Sequence, residues 1–284
     1  MRPDSATNVS RRARSARRRR RSPLPKLFAA GVLLGAAFLL LPRIWADAHS
    51  AQALPQTLTD QLQALTDTRP EVRSLLEHPE QYPEELLELA VRNPEALNFV
   101  LDYPQKKDAP AAETVGEVRQ GEFPRLLQWD EGWGYQTYGD GLMALTGCGP
   151  TVLSMAVCGL TGNNTVTPFQ VAQYAQEAGW YVDGSGSSWD LMREGCRHYG
   201  LEAEELPLNE RSVTRALEEG QPVICSVGPG DFTTSGHFLL LTGVEEGQFR
   251  LNDPNRPSNS EKLWDFDVLA PQIRNLWACS LMEG

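Results

Sequence analysis

The chain has 284 residues, 41% of them hydrophobic, with a net charge of −11, enough sequence for one large domain or two modest ones around a buried core. The charge is uneven: residues 1–26 carry ten Lys/Arg against one Asp, whereas the remainder has sixteen basic and thirty-six acidic residues. An apolar run follows the basic block at once, so the block reads as a topogenic signal, and nucleic acid is excluded as a partner.

That apolar run spans Leu27 to Leu41 without a charge, between Lys26 and Arg43. As a helix it measures about 24 Å against a hydrocarbon core of about 30 Å, a gap that snorkelling Lys26 and Arg43 and an interfacial Trp45 can close. A cleaved signal peptide is the rival, because Ala46-Asp47-Ala48 and Ala51-Gln52-Ala53 fit a small-x-small cleavage rule. The long basic leader favours an uncleaved anchor over residues 27–45, with 1–26 as a cytoplasmic tail. Either way the acidic part of the chain is expected outside the cytoplasm.

Residues 46–70 are polar with scattered apolar positions and read as a stalk or a loosely helical segment. Pro79 to Ala90 and Asn93 to Val100 predict two short helices, with proline at the start, acidic residues in the first turn and apolar residues at helical spacing. Residues 104–121 read as a linker, so a main domain is expected over 122–284, with stalk, helices and linker in 46–121.

Within that domain Thr151 to Leu160 predicts an apolar helix stopped by Gly162. Thr167-Pro168-Phe169-Gln170 predicts a capped helix ending at Gly179. A Gly/Ser loop over 183–188 leads to a third helix closing at Gly200, and Asn209 caps a fourth ending at Gly220. Then the period changes: Pro222–Val227, His237–Val244, Gln248–Asn252 and Leu276–Leu281 read as strands, with Glu245-Glu246-Gly247 as a hairpin turn. Helices followed by strands predict an α+β domain with an antiparallel sheet.

Cys148 stands in Thr146-Gly147-Cys148-Gly149-Pro150 at the start of the first of those helices. A thiolate is the nucleophile, and a helix N-terminus or a neighbouring imidazolium favours it over the thiol. The flanking glycines are expected to leave room for an incoming carbonyl. His237 is the one histidine at the mouth of an apolar strand, delivered by the polar loop 230–236. Asp253 ends the strand paired to it, sixteen residues on, where its carboxylate is expected to meet the imidazole at Nδ1 and hold its tautomer. Asn252, on the opposite face, is the fallback for that role. Gln128, twenty residues before Cys148, offers a side-chain NH₂ for an oxyanion. Trp129, Trp133, Trp180 and Trp189 flank the expected cleft and read mainly as structure.

Five cysteines in an exported chain invite a disulfide reading. Without a Cys-x-x-Cys pair no metal site is expected, and without a phosphate-binding glycine loop no nucleotide site. Cys158 and Cys225 lie in apolar runs and read as core.

Gln128-Trp129-Asp130, Gly147-Cys148-Gly149-Pro150-Thr151, Gly186-x-x-Trp189, Gly236-His237-Phe238 and Asn252-Asp253-Pro254 together resemble the C39-like, papain-like cysteine peptidases of exported bacterial proteins. The resemblance covers roughly 122–284. It implies a two-lobed papain-like fold, with the nucleophile on a helical lobe and His/Asp on a sheet lobe. Under it Cys148 is nucleophile, His237 base then acid, Asp253 orienter and Gln128 oxyanion donor, acting without cofactor on a peptide or protein. Residues 71–103 are similar to the pro-region of Gram-positive members. Relatives that process double-glycine leaders are fused to an ATP-binding transporter; this chain has no Walker motif, which argues against leader processing. Two other readings use the same residues: a cell-wall peptide hydrolase, transpeptidase or deamidase, and an inactive peptide-binding module.

Overall fold

The computed structural model describes residues 54–282. The basic tail and the apolar run of 27–45 lie outside the described residues. Among the described residues no helix is long and apolar enough to cross a membrane.

The chain first forms a small helical body from α1 (Gln56–Leu65), α2 (Arg73–Glu77), α3 (Glu84–Arg92) and α4 (Leu97–Lys106). Residues 56–65, whose polarity suggests a stalk or loose helix, are a regular helix because Leu58 and Leu62, four residues apart, lie on one face and are buried against α2 and α3. The helix expected from Pro79 is divided. Pro79–Gln81 is a single 3₁₀ turn, Tyr82 is extended, and α3 starts only after Pro83, as expected of a residue held extended by the proline after it. Leu62, Leu75, Leu86, Leu87 and Leu97 have no exposed surface. Each such leucine contributes about 1.5–3 kcal/mol through burial, which lets helices this short persist.

This body packs directly on the segment around Tyr135. Phe99 of α4 stacks on Tyr135 with ring centroids 4.2 Å apart, and the Tyr135 hydroxyl donates to the Phe99 carbonyl at 2.8 Å. Gly134 is required there, since a β-carbon would lie 2.6 Å from the Phe99 ring.

Next come a two-residue hairpin of β1 (Thr137–Tyr138) and β2 (Gly141–Leu142), then α5 (Met143–Thr146), α6 (Cys148–Thr161) and α7 (Pro168–Glu177). Helix α6 is buried from Gly149 to Gly159, as its apolar sequence on every face requires, and it stops at Gly162, whose φ is +72°. Thr167 caps α7 by accepting from the Gln170 N–H. The expected third helix is shorter than its sequence suggests. A hairpin of β3 (Tyr181–Val182) and β4 (Gly186–Ser187) precedes it, and it consists of a π-helical turn, Leu191–Gly195, and the single turn α8 (Cys196–His198).

The remaining elements are β5 (Leu201–Glu205), α9 (Glu210–Glu218), β6 (Val223–Val227), β7 (His237–Glu245), β8 (Gln248–Asn252), α10 (Pro257–Ser260), β9 (Leu263–Trp264), α11 (Phe266–Leu269) and β10 (Ile273–Leu281). Six strands form an antiparallel sheet in the order β5-β10-β6-β7-β8-β9. The two edge strands are not legible in the sequence. β5 is Leu-Glu-Ala-Glu-Glu with one buried residue, and its charge suits an edge better than a core; β9 has two residues. Helices α6 and α7 cover one face through Leu153, Ala156, Ile224, Leu240 and Trp277. Helix α9 covers the other through Val213 and Leu217 against Leu239, Leu241 and Leu251. With both faces covered, β6 is buried at every position.

The β7–β8 hairpin turns through Glu246 and Gly247, both left-handed at φ 53° and 82°. Its register runs Glu245↔Gln248, Val244↔Phe249 and Gly243↔Arg250, then shifts to Leu241↔Leu251 and Leu240↔Asn252. Thr242 is thus an extra residue, a β-bulge.

The five cysteines are free thiols. Cys158 and Cys225 are core residues whose thiols burial pushes up, Cys158 to about 11, so both stay protonated and inert. Cys196 and Cys279 are buried with their sulfurs 3.9 Å apart.

Candidate active site

Cys148 is the first residue of α6, with Gly147 as its N-cap. Its sulfur therefore stands where the first N–H groups of the helix have no intrahelical acceptors. Pro150, expected at the first helical position, is the third residue, still within the turn that needs no N–H donor. The flanking glycines serve the protein's own packing rather than a substrate's approach. A β-carbon at Gly147 would lie 2.5 Å from the Met143 carbonyl, and one at Gly149 2.6 Å from the Ser187 hydroxyl. Open space is found instead at Gly236, beside His237.

A cleft of about 320 Å³ opens over the half-buried Cys148, lined by Gln128, His237 and the loop of residues 230–236. His237 starts β7 and is 7% exposed; Asp253 follows β8 and is 2% exposed. The imidazole Nε2 lies 2.8 Å from Asp253 Oδ1. This corrects the sequence expectation of a carboxylate at Nδ1; meeting Nε2 instead leaves Nδ1 for the sulfur.

The bulge at Thr242 makes this pairing possible. Directly opposed residues of an antiparallel pair share a face. With the register Leu240↔Asn252, Asp253 extends opposite Leu239 and so shares a face with His237. An unbulged hairpin would set Asn252 on that face and turn Asp253 away. Asn252 instead donates to the Phe123 and Pro124 carbonyls, so it does not act as the fallback partner of the ring.

The Asp253 carboxylate is held by several donors. Oδ1 accepts from the N–H groups of Asn255 (2.8 Å) and Arg256 (3.2 Å) as well as from His237, and Oδ2 accepts from Asn259 Nδ2 at 2.7 Å. Its own N–H donates to Ser260 Oγ. Burial opposes ionisation here, but the His237 charge and these hydrogen bonds outweigh it and hold the carboxyl below its ordinary value. For His237, burial likewise opposes the charged form. The Asp253 carboxylate, by charge and hydrogen bond, and the hydrogen-bonding Cys148 overcome it, pushing the imidazole up to about 10. The site thus favours an imidazolium held between a carboxylate and a sulfur.

Gln128, 4% exposed, is fixed by two bonds: its N–H donates to the Pro254 carbonyl and its Nε2 to the Ala144 carbonyl, each at 2.7 Å. Gln128 lines the cleft with Cys148, its second amide hydrogen has no acceptor among the described residues, and Oε1 has no partner there either. Of the tryptophans, Trp129 donates to the Asn255 carbonyl and Trp133 to the Leu127 carbonyl, while Trp180 packs on the α6 core. Trp189 differs, with 47% of its surface exposed. Asn259 is not legible as a site residue in the sequence, because nothing near Pro257-Ser258-Asn259 marks it as a partner of a carboxylate six residues earlier. Among the described residues no cluster of three His, Cys, Asp or Glu side chains is placed to hold a metal ion.

No curated protein matches the chain. Among solved structures, it is similar to the peptidase domain of Streptococcus ComA, described as a bifunctional ABC transporter involved in a quorum-sensing pathway. That similarity is 17% identity over 48% of this chain and 93% of that one, with a TM-score of 0.39. It is also similar to a C39-like peptidase from Bacillus anthracis, at 15% identity over 57% of this chain and 96% of that one, with a TM-score of 0.34. The model of the Peptidase_C39 like family matches residues 120–279, more than half of the chain and all four residues of the site, so the chain belongs to that family.

Proposed function

We propose that the protein is a cysteine peptidase that hydrolyses peptide or amide bonds outside the cytoplasm, tethered by the apolar run of residues 27–45. The observation that carries this reading is the His237–Asp253 pair at 2.8 Å, in one cleft with Cys148 and Gln128. His237 takes the Cys148 proton at Nδ1, and the resulting imidazolium is held at Nε2 by Asp253. The thiolate adds to the substrate carbonyl, and the oxyanion accepts from the Cys148 N–H and the remaining Gln128 amide hydrogen. His237 then protonates the leaving amine, and a water deprotonated by the same ring releases the acyl group. The location outside the cytoplasm is supported by the basic block of 1–26 followed by the uncharged Leu27–Leu41 run.

Purified full chain incubated with a peptide library and with labelled cell-wall peptides tests the activity and separates general proteolysis from cell-wall cleavage. Cys148→Ser is expected to lower turnover by about 10³-fold or more without changing the melting temperature. Alkylation of Cys148 by iodoacetamide is expected to abolish turnover. Turnover unchanged in Cys148→Ser would remove the mechanism, and binding of peptides by the wild-type chain without any turnover would indicate an inactive binding module.

A further inference from the structure

We propose that the helical body forms one wall of the substrate cleft and that Arg92 and Arg256 on that wall make a subsite for a substrate carboxylate. The preferred substrate is then an acidic peptide. This rests on the cleft of Cys148 and His237 being the substrate site.

The end of α3 reaches into that cleft: Leu89, Arg92 and Asn93 line it together with Cys148 and His237. Its position there is enforced by polar bonds to the loop that carries Asp253. Asn93, 2% exposed, donates from Nδ2 to the Asn255 carbonyl at 2.7 Å. Arg256 Nη2 donates to the Arg92 carbonyl at 2.7 Å. The Glu95 carboxylate accepts from the Ser258 N–H at 3.0 Å and from its hydroxyl at 2.7 Å. Residues 92–95 and 253–260 are therefore one bonded unit, and the two arginines are brought together by it.

Their charges are poorly compensated. Among the described residues Arg256 has no carboxylate within ion-pairing distance, and Arg92 meets only Glu88, at 3.6 Å and half exposed. The Arg256 guanidinium spends one donor on the Arg92 carbonyl and keeps a fork of N–H groups suited to a carboxylate. Across the cleft the charge has the other sign: Asp231 stands on the opposite loop, where its carboxylate accepts from Gln272. The cleft is thus polarised, positive on the helical wall and negative on the loop wall, which selects the orientation of a charged peptide as well as its composition. The surface outside the cleft is acidic overall, so the selection is made on contact rather than by long-range attraction.

The test uses the full chain carrying Cys148→Ala, so that ligands are held but not cut. Fluorescent peptides that differ only by Glu or Gln at each position around a candidate cleavage site are compared by anisotropy. At one or two positions the Glu peptide is expected to bind about fivefold tighter, with the ratio falling as salt is added. Arg92→Gln and Arg256→Gln should each reduce the ratio, and Arg92→Glu should favour Lys at the same position. Melting curves establish that each variant is folded, and Arg92→Gln serves if Arg92→Glu is not. Equal binding of Glu and Gln peptides at every position, or a preference that survives both glutamine substitutions, would overturn the subsite. Hydrolysis of uncharged peptides by the chain with Cys148 intact is measured separately, so loss of the peptidase reading and loss of the subsite give different results.

Discussion

The two sides of the site are held in place by different physics. Cys148 is positioned by a helix whose residues 149–159 are buried among apolar side chains, so the nucleophile is fixed by the same packing that stabilises the domain. Asp253 sits in a loop positioned by directional polar contacts: a bulge, two N–H groups, Asn259, and residues 92–95 of a different part of the chain. A helix in a core tolerates many substitutions that preserve volume, whereas a loop held by hydrogen bonds depends on each donor. Substitutions in the buried helix behind Cys148 should therefore act mainly on stability, and those in the loop around Asp253 mainly on turnover.

The largest break of that contrast is Asp253→Asn. The amide keeps the size of the side chain but removes the charge that holds the imidazolium, and turnover is expected to fall by about 10²-fold or more while the circular dichroism of the sheet persists. Turnover near the wild-type level in a folded Asp253→Asn variant would show that the carboxylate does not act on the ring. A smaller effect is expected from Asn93→Ala, which leaves the half-buried Asn255 carbonyl with the Trp129 indole as its side-chain donor. Stability should fall by about 0.5–1.5 kcal/mol and kcat by roughly tenfold, with KM changing less, when both are measured on one uncharged peptide.

The third prediction concerns pH. His237 is raised from its ordinary 6.5 to about 10, so its contribution to stability is complete below 6.5 and disappears as pH rises through about 10. The difference in melting temperature between the wild type and His237→Gln should shrink across that interval. A difference that grows with pH would mean that the ring is buried neutral. Turnover should lose its alkaline limb in the same region, where the imidazolium is no longer available to protonate a leaving amine. The smallest effect on activity is expected from Leu217→Ala in α9, on the far face of the sheet. It should cost about 2–5 kcal/mol in denaturant unfolding and leave kcat unchanged at temperatures where the variant is folded.

Much of the molecule is legible in the sequence because its signals are local. Gly162, Thr167 and Asn209 mark helix ends through their own φ angles and caps, and the β7–β8 turn is announced by Glu-Gly at left-handed positions. The edge strands are not, since β5 is mostly acidic and β9 too short to show a period. Residues 56–65 are obscured by polar side chains on the solvent face of α1. For the site, residue types and order point to Cys148, His237, Asp253 and Gln128, and the structure gathers all four around one cleft. The roles of Arg92, Asn93 and Asn259 have no local signature, being defined by partners up to 164 residues away.

The sequence by itself determined where α6 stops, where α7 and α9 start, the β7–β8 hairpin, and which side chains carry reactive atoms. These depend on one residue's backbone preference or on neighbours within a few positions. The tertiary structure alone decided which ring nitrogen of His237 meets Asp253, whether Asp253 or Asn252 shares its face, and which segment walls the cleft. One extra residue in a strand exchanges the two faces beyond it, and bonds between distant loops form only once the sheet and the helical body have been brought together.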